Sequence, residues 1–220
     1  MPPHPSRTPS RQGSAGPTRL AVAAALAGAA LLWGCGGGGS STAPSGSSGS
    51  SASFEYAGAP VPGDVQAPGF TLTDQAGHTV SLADYRGQVT VVAFLYSDCA
   101  PACVLVAQQI RGALDELARP VPVLLVSVDP SADTPERVRA FLREVSLNGR
   151  VRYLSGPRGE LERTWRAYHI VTPASAGRAA FEDRVTVLLI DRDGRERVVY
   201  QQEQLTPESL AHDIGKLEAG

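Results

Sequence analysis

The chain has 220 residues, 42% of them hydrophobic and 19% charged, with 20 basic side chains against 22 acidic ones. That length suits one ordinary domain with extra segments, and a formal charge of −2 leaves no basic excess for a nucleic-acid partner. Three cysteines exclude a disulfide-framework miniprotein and a four-cysteine zinc module, and no apolar run of about 18 residues outside the first forty positions suggests a polytopic membrane protein.

Residues 1–34 read as a lipoprotein signal peptide. Arg7, Arg11 and Arg19 make a positive leader without acids, and Leu20 to Leu32 is wholly Ala, Val, Leu and Gly, too short to span a bilayer. The run ends Leu32-Trp33-Gly34-Cys35, which resembles a bacterial lipobox, so Cys35 is the expected lipidation site. Residues 36–53 contain only Gly, Ser, Thr, Ala and Pro. Such a tract cannot bury apolar surface and reads, with Cys35, as a tether (35–53) with a reach of roughly 20–25 Å. Export would place the remaining thiols, Cys99 and Cys103, where disulfides can form, and removal of the leader would take the net charge to −5.

Residues 54–220 are enough for one well-buried core. Phe70 to Thr73 and Thr79 to Leu82 flank a turn at Asp74 to Gly77 and predict a hairpin. Val89 to Leu95 is a continuous apolar run, expected of a strand buried on both faces. From Pro101 the pattern becomes helical, with Leu105, Val106, Ile110, Leu114 and Leu117 at three- and four-residue spacing. Val121 to Val128 predicts a second buried strand. Thr134-Pro135-Glu136 opens a helix through Val145, with Thr134 as N-cap. A further helix is expected over Gly159 to Tyr168. Val185 to Asp191 and Arg197 to Tyr200, joined by Arg192-Asp193-Gly194, predict a closing hairpin. Thr206-Pro207-Glu208 then opens a last helix. A βαβ unit followed by a ββα unit is an α/β, thioredoxin-like order, with the hairpin at 70–82 as an N-terminal addition.

Cys99 and Cys103 fall where the first buried strand gives way to a helix. Unpaired N–H groups at a helix start stabilise a thiolate, lower its pKa and raise its reactivity. Four residues apart on a helix, the two Cα atoms would lie about 6 Å apart, close enough for a disulfide. The same spacing lets two thiolates hold one soft cation such as Cu(I). Asp98, directly before Cys99, is expected to oppose the helix effect by like-charge repulsion. Asp129 and Pro130 read as the end of the second strand, Asp133 with Thr134 as a helix cap, and Trp165 and Tyr168 as core or rim aromatics.

The segments FTLTDQAGHTVSLADYRGQVTVVAFLYSDCAPAC, from Phe70, and VSVDPSADTPE, from Val126, closely resemble the SCO/SenC family from about Phe70 to Tyr200. The resemblance implies a membrane-tethered thioredoxin-like domain outside the cytoplasm. It implies copper bound through both cysteines and one histidine, and a role in assembling the CuA centre of cytochrome c oxidase as copper chaperone or thiol reductase. At the place of the family's histidine this sequence has Asp183, a harder donor than imidazole. The alternative third donor is His169, at a helix end whose plainer reading is a C-terminal cap. His78 and His212 read as solvent-facing, and His4 leaves with the leader. The competing readings are a general extracytoplasmic thiol–disulfide oxidoreductase without metal, and a binder with an inert disulfide. A peroxiredoxin motif would need Pro and Thr where Val92 and Tyr96 stand.

Overall fold

The computed structural model describes residues 56–99 and 101–220. The expected signal peptide (1–34), the lipidated Cys35 and the tether (35–53) lie outside the described residues. No helix among the described residues is long and apolar enough to cross a membrane.

The sheet grows outward from β4 (Thr90–Leu95), whose six residues are all buried. β4 pairs in parallel with β5 (Val123–Ser127), and β5 in parallel with β6 (Arg152–Ser155). On the other side β4 pairs antiparallel with β7 (Thr186–Ile190), and β7 with β8 (Glu196–Gln201). Both predicted central strands are there, and the apolar, β-branched runs that mark them are the ones covered on both faces. Gly194 makes the tight β7–β8 turn at φ +75°, a region open to glycine at little cost.

Helices α1 (Ala102–Glu116) and α6 (Pro207–Ala219) pack against one another. α2 (Pro135–Glu144) and α3 (Arg158–Ala167) flank β6 in sequence, and Trp165 of α3 donates from Nε1 to the Ser127 carbonyl at the end of β5, 2.9 Å away. Thr134 caps α2 as expected, accepting from the Arg137 N–H. The order β4–α1–β5, then β7–β8–α6, is the thioredoxin-like arrangement.

The predicted hairpin is present as β2 (Thr71–Asp74) and β3 (Thr79–Ser81). It is joined to the main sheet, because β2 pairs with β6, and Leu82 opens a 3-10 turn rather than ending a strand. Strand β6 was not predicted, and neither were three further elements. A two-residue edge strand β1 (Ala59–Pro60) pairs with β8, and short helices α4 (Pro173–Ala176) and α5 (Arg178–Glu182) fill the stretch before β7. Leu105 departs from its predicted place on the buried stripe. The face of α1 toward the core is Cys103, Val106, Ala107, Ile110 and Ala113, which turns Leu105 out to 41% exposure.

Candidate functional site

Cys99 and Cys103 are joined by a disulfide, with Cα atoms 5.2 Å apart. The helix begins later than the sequence suggests, with Pro101 as N-cap and Ala102 as its first residue. Cys99 thus precedes α1 and Cys103 is its second residue. The four-residue spacing still closes, because the Cys103 N–H donates to the Cys99 carbonyl at 2.8 Å. That bond closes one backbone turn between the two cysteines. Both cysteines are buried, Cys99 to 1% exposure and Cys103 completely.

Two sets of contacts hold the loop from Leu95 to Pro101. The exposed set centres on Asp98, whose Oδ2 meets Arg178 Nη2 at 2.9 Å and Arg137 Nη1 at 3.8 Å. The hydrogen bond from Arg178 holds the Asp98 carboxyl below the usual carboxylate value. The like-charge repulsion expected of Asp98 toward Cys99 is therefore offset by two guanidinium groups. Arg178 also lies 5.3 Å from the centre of the Tyr96 ring, a cation–π contact, and Tyr96 packs against Phe181 at 5.5 Å. Tyr96 is fully buried and its hydroxyl has no hydrogen-bond partner among the described residues, an exception to the rule that buried polar atoms are paired. Burial pushes its pKa up, against the attraction of Arg178.

The buried set centres on Asp133, and here the sequence reading needs correction. Thr134 alone caps α2; Asp133 turns inward. Its Oδ1 accepts from the Ser97 N–H at 2.7 Å, and its Oδ2 accepts from Ser127 Oγ at 2.5 Å and Tyr153 Oη at 2.7 Å. One carboxylate thereby ties the cysteine loop to the ends of β5 and β6. Burial pushes the Asp133 pKa up, opposed by hydrogen bonds from Ser127, Ser97 and Tyr153. Exposed ion pairs of the Asp98 kind contribute little. Asp133 instead makes three hydrogen bonds in a buried setting, where such bonds are electrostatically stronger than in water, so its cluster dominates the anchoring. Asp129 acts as expected at the strand end, accepting from the Ser131 and Ala132 N–H groups.

The expected third donors stand apart. Asp183 is the exposed C-cap of α5, its N–H donating to the Ala179 carbonyl at 3.1 Å. α5 itself adjoins the cysteine loop through Arg178 and Phe181. His169 follows α3 with φ +54°, exposed, the position of a C-terminal cap. Its electrostatic partner is Glu196. Glu196 pairs with Ile190, which pairs with Thr90 at the start of β4, whereas Cys99 follows the end of β4. His78 faces Asp74 and His212 faces Asp213. Among the described residues no three of His, Cys, Asp and Glu are grouped to hold a metal ion. The donors in place are two sulfurs, which become soft ligands once the disulfide is reduced. A cleft of about 540 Å³ lined by Gln75, His78, Arg150 and Arg152 contains neither cysteine.

A cysteine pair at the junction of the central strand and first helix of a thioredoxin-like domain defines a class of thiol proteins. Within it, residues 60–218 match the SCO1/SenC family model, and the chain belongs to that family. A Mycobacterium tuberculosis relative named as a peroxiredoxin is 36% identical over 108 residues, 49% of this chain and 65% of its own length. The chain thus spans less than two thirds of that relative. The structure is similar to that of a SCO1/SenC family lipoprotein from Bacillus anthracis, with a TM-score of 0.59 and 22% identity over 72% of this chain and 97% of that one. It is also similar to copper-bound ScoI from Bradyrhizobium japonicum, with a TM-score of 0.53 and 25% identity over 70% and 99% of the two chains.

Proposed function

We propose that this chain is a membrane-anchored SCO-type protein that uses Cys99 and Cys103 to deliver copper or to reduce thiols during assembly of the CuA centre of cytochrome c oxidase. The observation that carries the reading is the cysteine pair itself, held at bonding distance at a strand–helix junction in a member of the SCO1/SenC family. The anchor would be lipid on Cys35, facing the domain to the extracytoplasmic side; the lipoprotein name of the B. anthracis neighbour supports this. The copper-bound ScoI neighbour supports copper as the cargo.

Reduction of the disulfide gives two thiolates for Cu(I). A third donor comes from Asp183 or His169 after movement, or from the acceptor during ligand exchange. A carboxylate at 183 suits Cu(II) better than Cu(I). For thiol chemistry, reduced Cys99 attacks a disulfide of the partner, and Cys103 then displaces the partner's sulfur. The partner leaves as a dithiol and the Cys99–Cys103 bond is restored. A second reading, a general extracytoplasmic thiol–disulfide oxidoreductase without metal, is favoured by the closed disulfide and by the peroxiredoxin name of the M. tuberculosis relative.

The test is Cu(I) competition on the reduced full chain against a chromogenic chelator, with and without Cys99→Ser. Tight one-to-one binding, weakened at least a hundredfold by the substitution, is expected. Affinity no better than that of a short unstructured dithiol peptide would retire the copper reading and leave the redox one.

A further inference from the structure

Asp133 has no place in the chemistry described so far, yet it is a buried carboxyl bonded to the cysteine loop. Ser97, which donates its N–H to Asp133, lies two residues before Cys99. The loop leaves β4 at Leu95 and enters α1 at Ala102, so its two ends are fixed by the sheet and by the helix. Between them the Ser97 bond is a buried cross-link to Asp133, the disulfide and the Cys103 N–H bond tie Cys99 to α1, and the Asp98 contacts are exposed. Ser127 and Tyr153 hold the carboxylate from β5 and β6, so Asp133 cannot swing without breaking two further bonds.

We propose that Asp133 is a positioning residue for the cysteine pair, and that by clamping the loop through Ser97 it holds the pair toward the disulfide state. This rests on the redox reading of Cys99 and Cys103. On reduction the S–S bond breaks and the pair gains two electrons and two protons, while the reducing dithiol loses the same and closes its own disulfide. The clamp opposes that step, because a loop fixed beside α1 keeps the Cys99 sulfur facing Cys103, which favours re-closure.

The test is the redox equilibrium of the full chain against dithiothreitol at pH 7, for wild type, Asp133→Ala, Tyr153→Phe and Asp213→Asn. Alanine removes the acceptor of the Ser97 N–H and so releases the loop. That release is expected to shift the equilibrium toward the dithiol about tenfold, ~30 mV for a two-electron couple. Tyr153→Phe removes one of the three donors that fix the carboxyl and is expected to shift it in the same direction by less, and it decides the matter if Asp133→Ala does not fold. Asp213 is a fully buried carboxylate bound to Ala57, Gly58 and Tyr200. Its substitution is expected to lower stability and leave the redox equilibrium within about twofold, which separates positioning from a general loss of stability. Equilibria within twofold of wild type for folded Asp133→Ala, or for Tyr153→Phe where Asp133→Ala does not fold, would overturn the inference while leaving the redox reading intact. A wild-type pair that does not exchange with dithiothreitol at all would overturn both.

Discussion

Asp74 and Asp133 are both buried carboxylates, and their surroundings push them in opposite directions. Burial acts upward on Asp74, but the N–H groups of His78 and Ala76, with Arg152 and the His78 ring, hold its carboxyl below the usual value. An Asp with a depressed folded pKa contributes stability that is present above the unfolded value and lost as pH falls through the folded one. Asp74→Asn is therefore expected to destabilise by roughly 1.5–3 kcal/mol at pH 7, the range for hydrogen bonds to a charged group. The gap should shrink once pH falls below about 4, where the unfolded Asp takes up its proton. Urea midpoints of both proteins at pH 7, 5 and 3 check this; a gap as wide at pH 3 as at pH 7 would mean the charge is not what Asp74 supplies. Asp133 has the reverse sign. Its folded pKa is raised, so the folded state holds the extra proton between the unfolded and folded values, and its contribution falls as pH rises through that window.

At the scale of elements, α1 carries Cys103, follows Cys99 and leans on α6 through a close approach. A Cβ built on Gly112 would lie 2.8 Å from Pro207 Cγ, nearer than real contacts come. Alanine favours helix over glycine by up to about 1 kcal/mol, yet here it would push α6 away, and overpacking costs typically about 1–3 kcal/mol. Gly112→Ala is expected to be a net loss of about 1–2 kcal/mol in urea denaturation. A gain would show that α6 yields freely. The sequence displays long apolar runs and helices with Thr-Pro starts well, because continuous burial and capping leave local marks. It displays β6 poorly: Arg152–Ser155 is four residues, with Arg152 exposed and Tyr153 and Leu154 buried, and only the pairing with β5 and β2 makes it a strand. The site divides the same way. Cys99 and Cys103 are four apart in sequence and meet through one helical turn, so spacing alone finds them. Asp133 meets Ser97, Ser127 and Tyr153 across 36, 6 and 20 residues. Nothing local marks it, and beside Thr134 it passes for part of a cap.

For the whole molecule, the decisive question is whether the fold depends on the Cys99–Cys103 bond. A cross-link stabilises mainly by shortening the unfolded chain's reach, more for longer loops. The loop closed here is short, with a sequence separation of 4, and the chain-entropy relation gives about 2 kcal/mol for it. The core does not hang from that bond: Val91 to Tyr96, Leu124 to Val126 and Ile110 are completely buried, and the Cys103 N–H bond to the Cys99 carbonyl keeps the turn closed. Reduction is therefore expected to leave a folded domain with its melting temperature lowered by roughly 4–8 °C, since 1 kcal/mol corresponds to about 2–4 °C in a domain this size. Thermal denaturation of the full chain with and without reductant checks it. Unfolding at room temperature on reduction would make the disulfide a structural staple, at odds with the proposed cycling between dithiol and disulfide. A modest drop leaves both redox states folded, which is what the proposed copper uptake by the reduced pair and the proposed re-closure after thiol transfer each require.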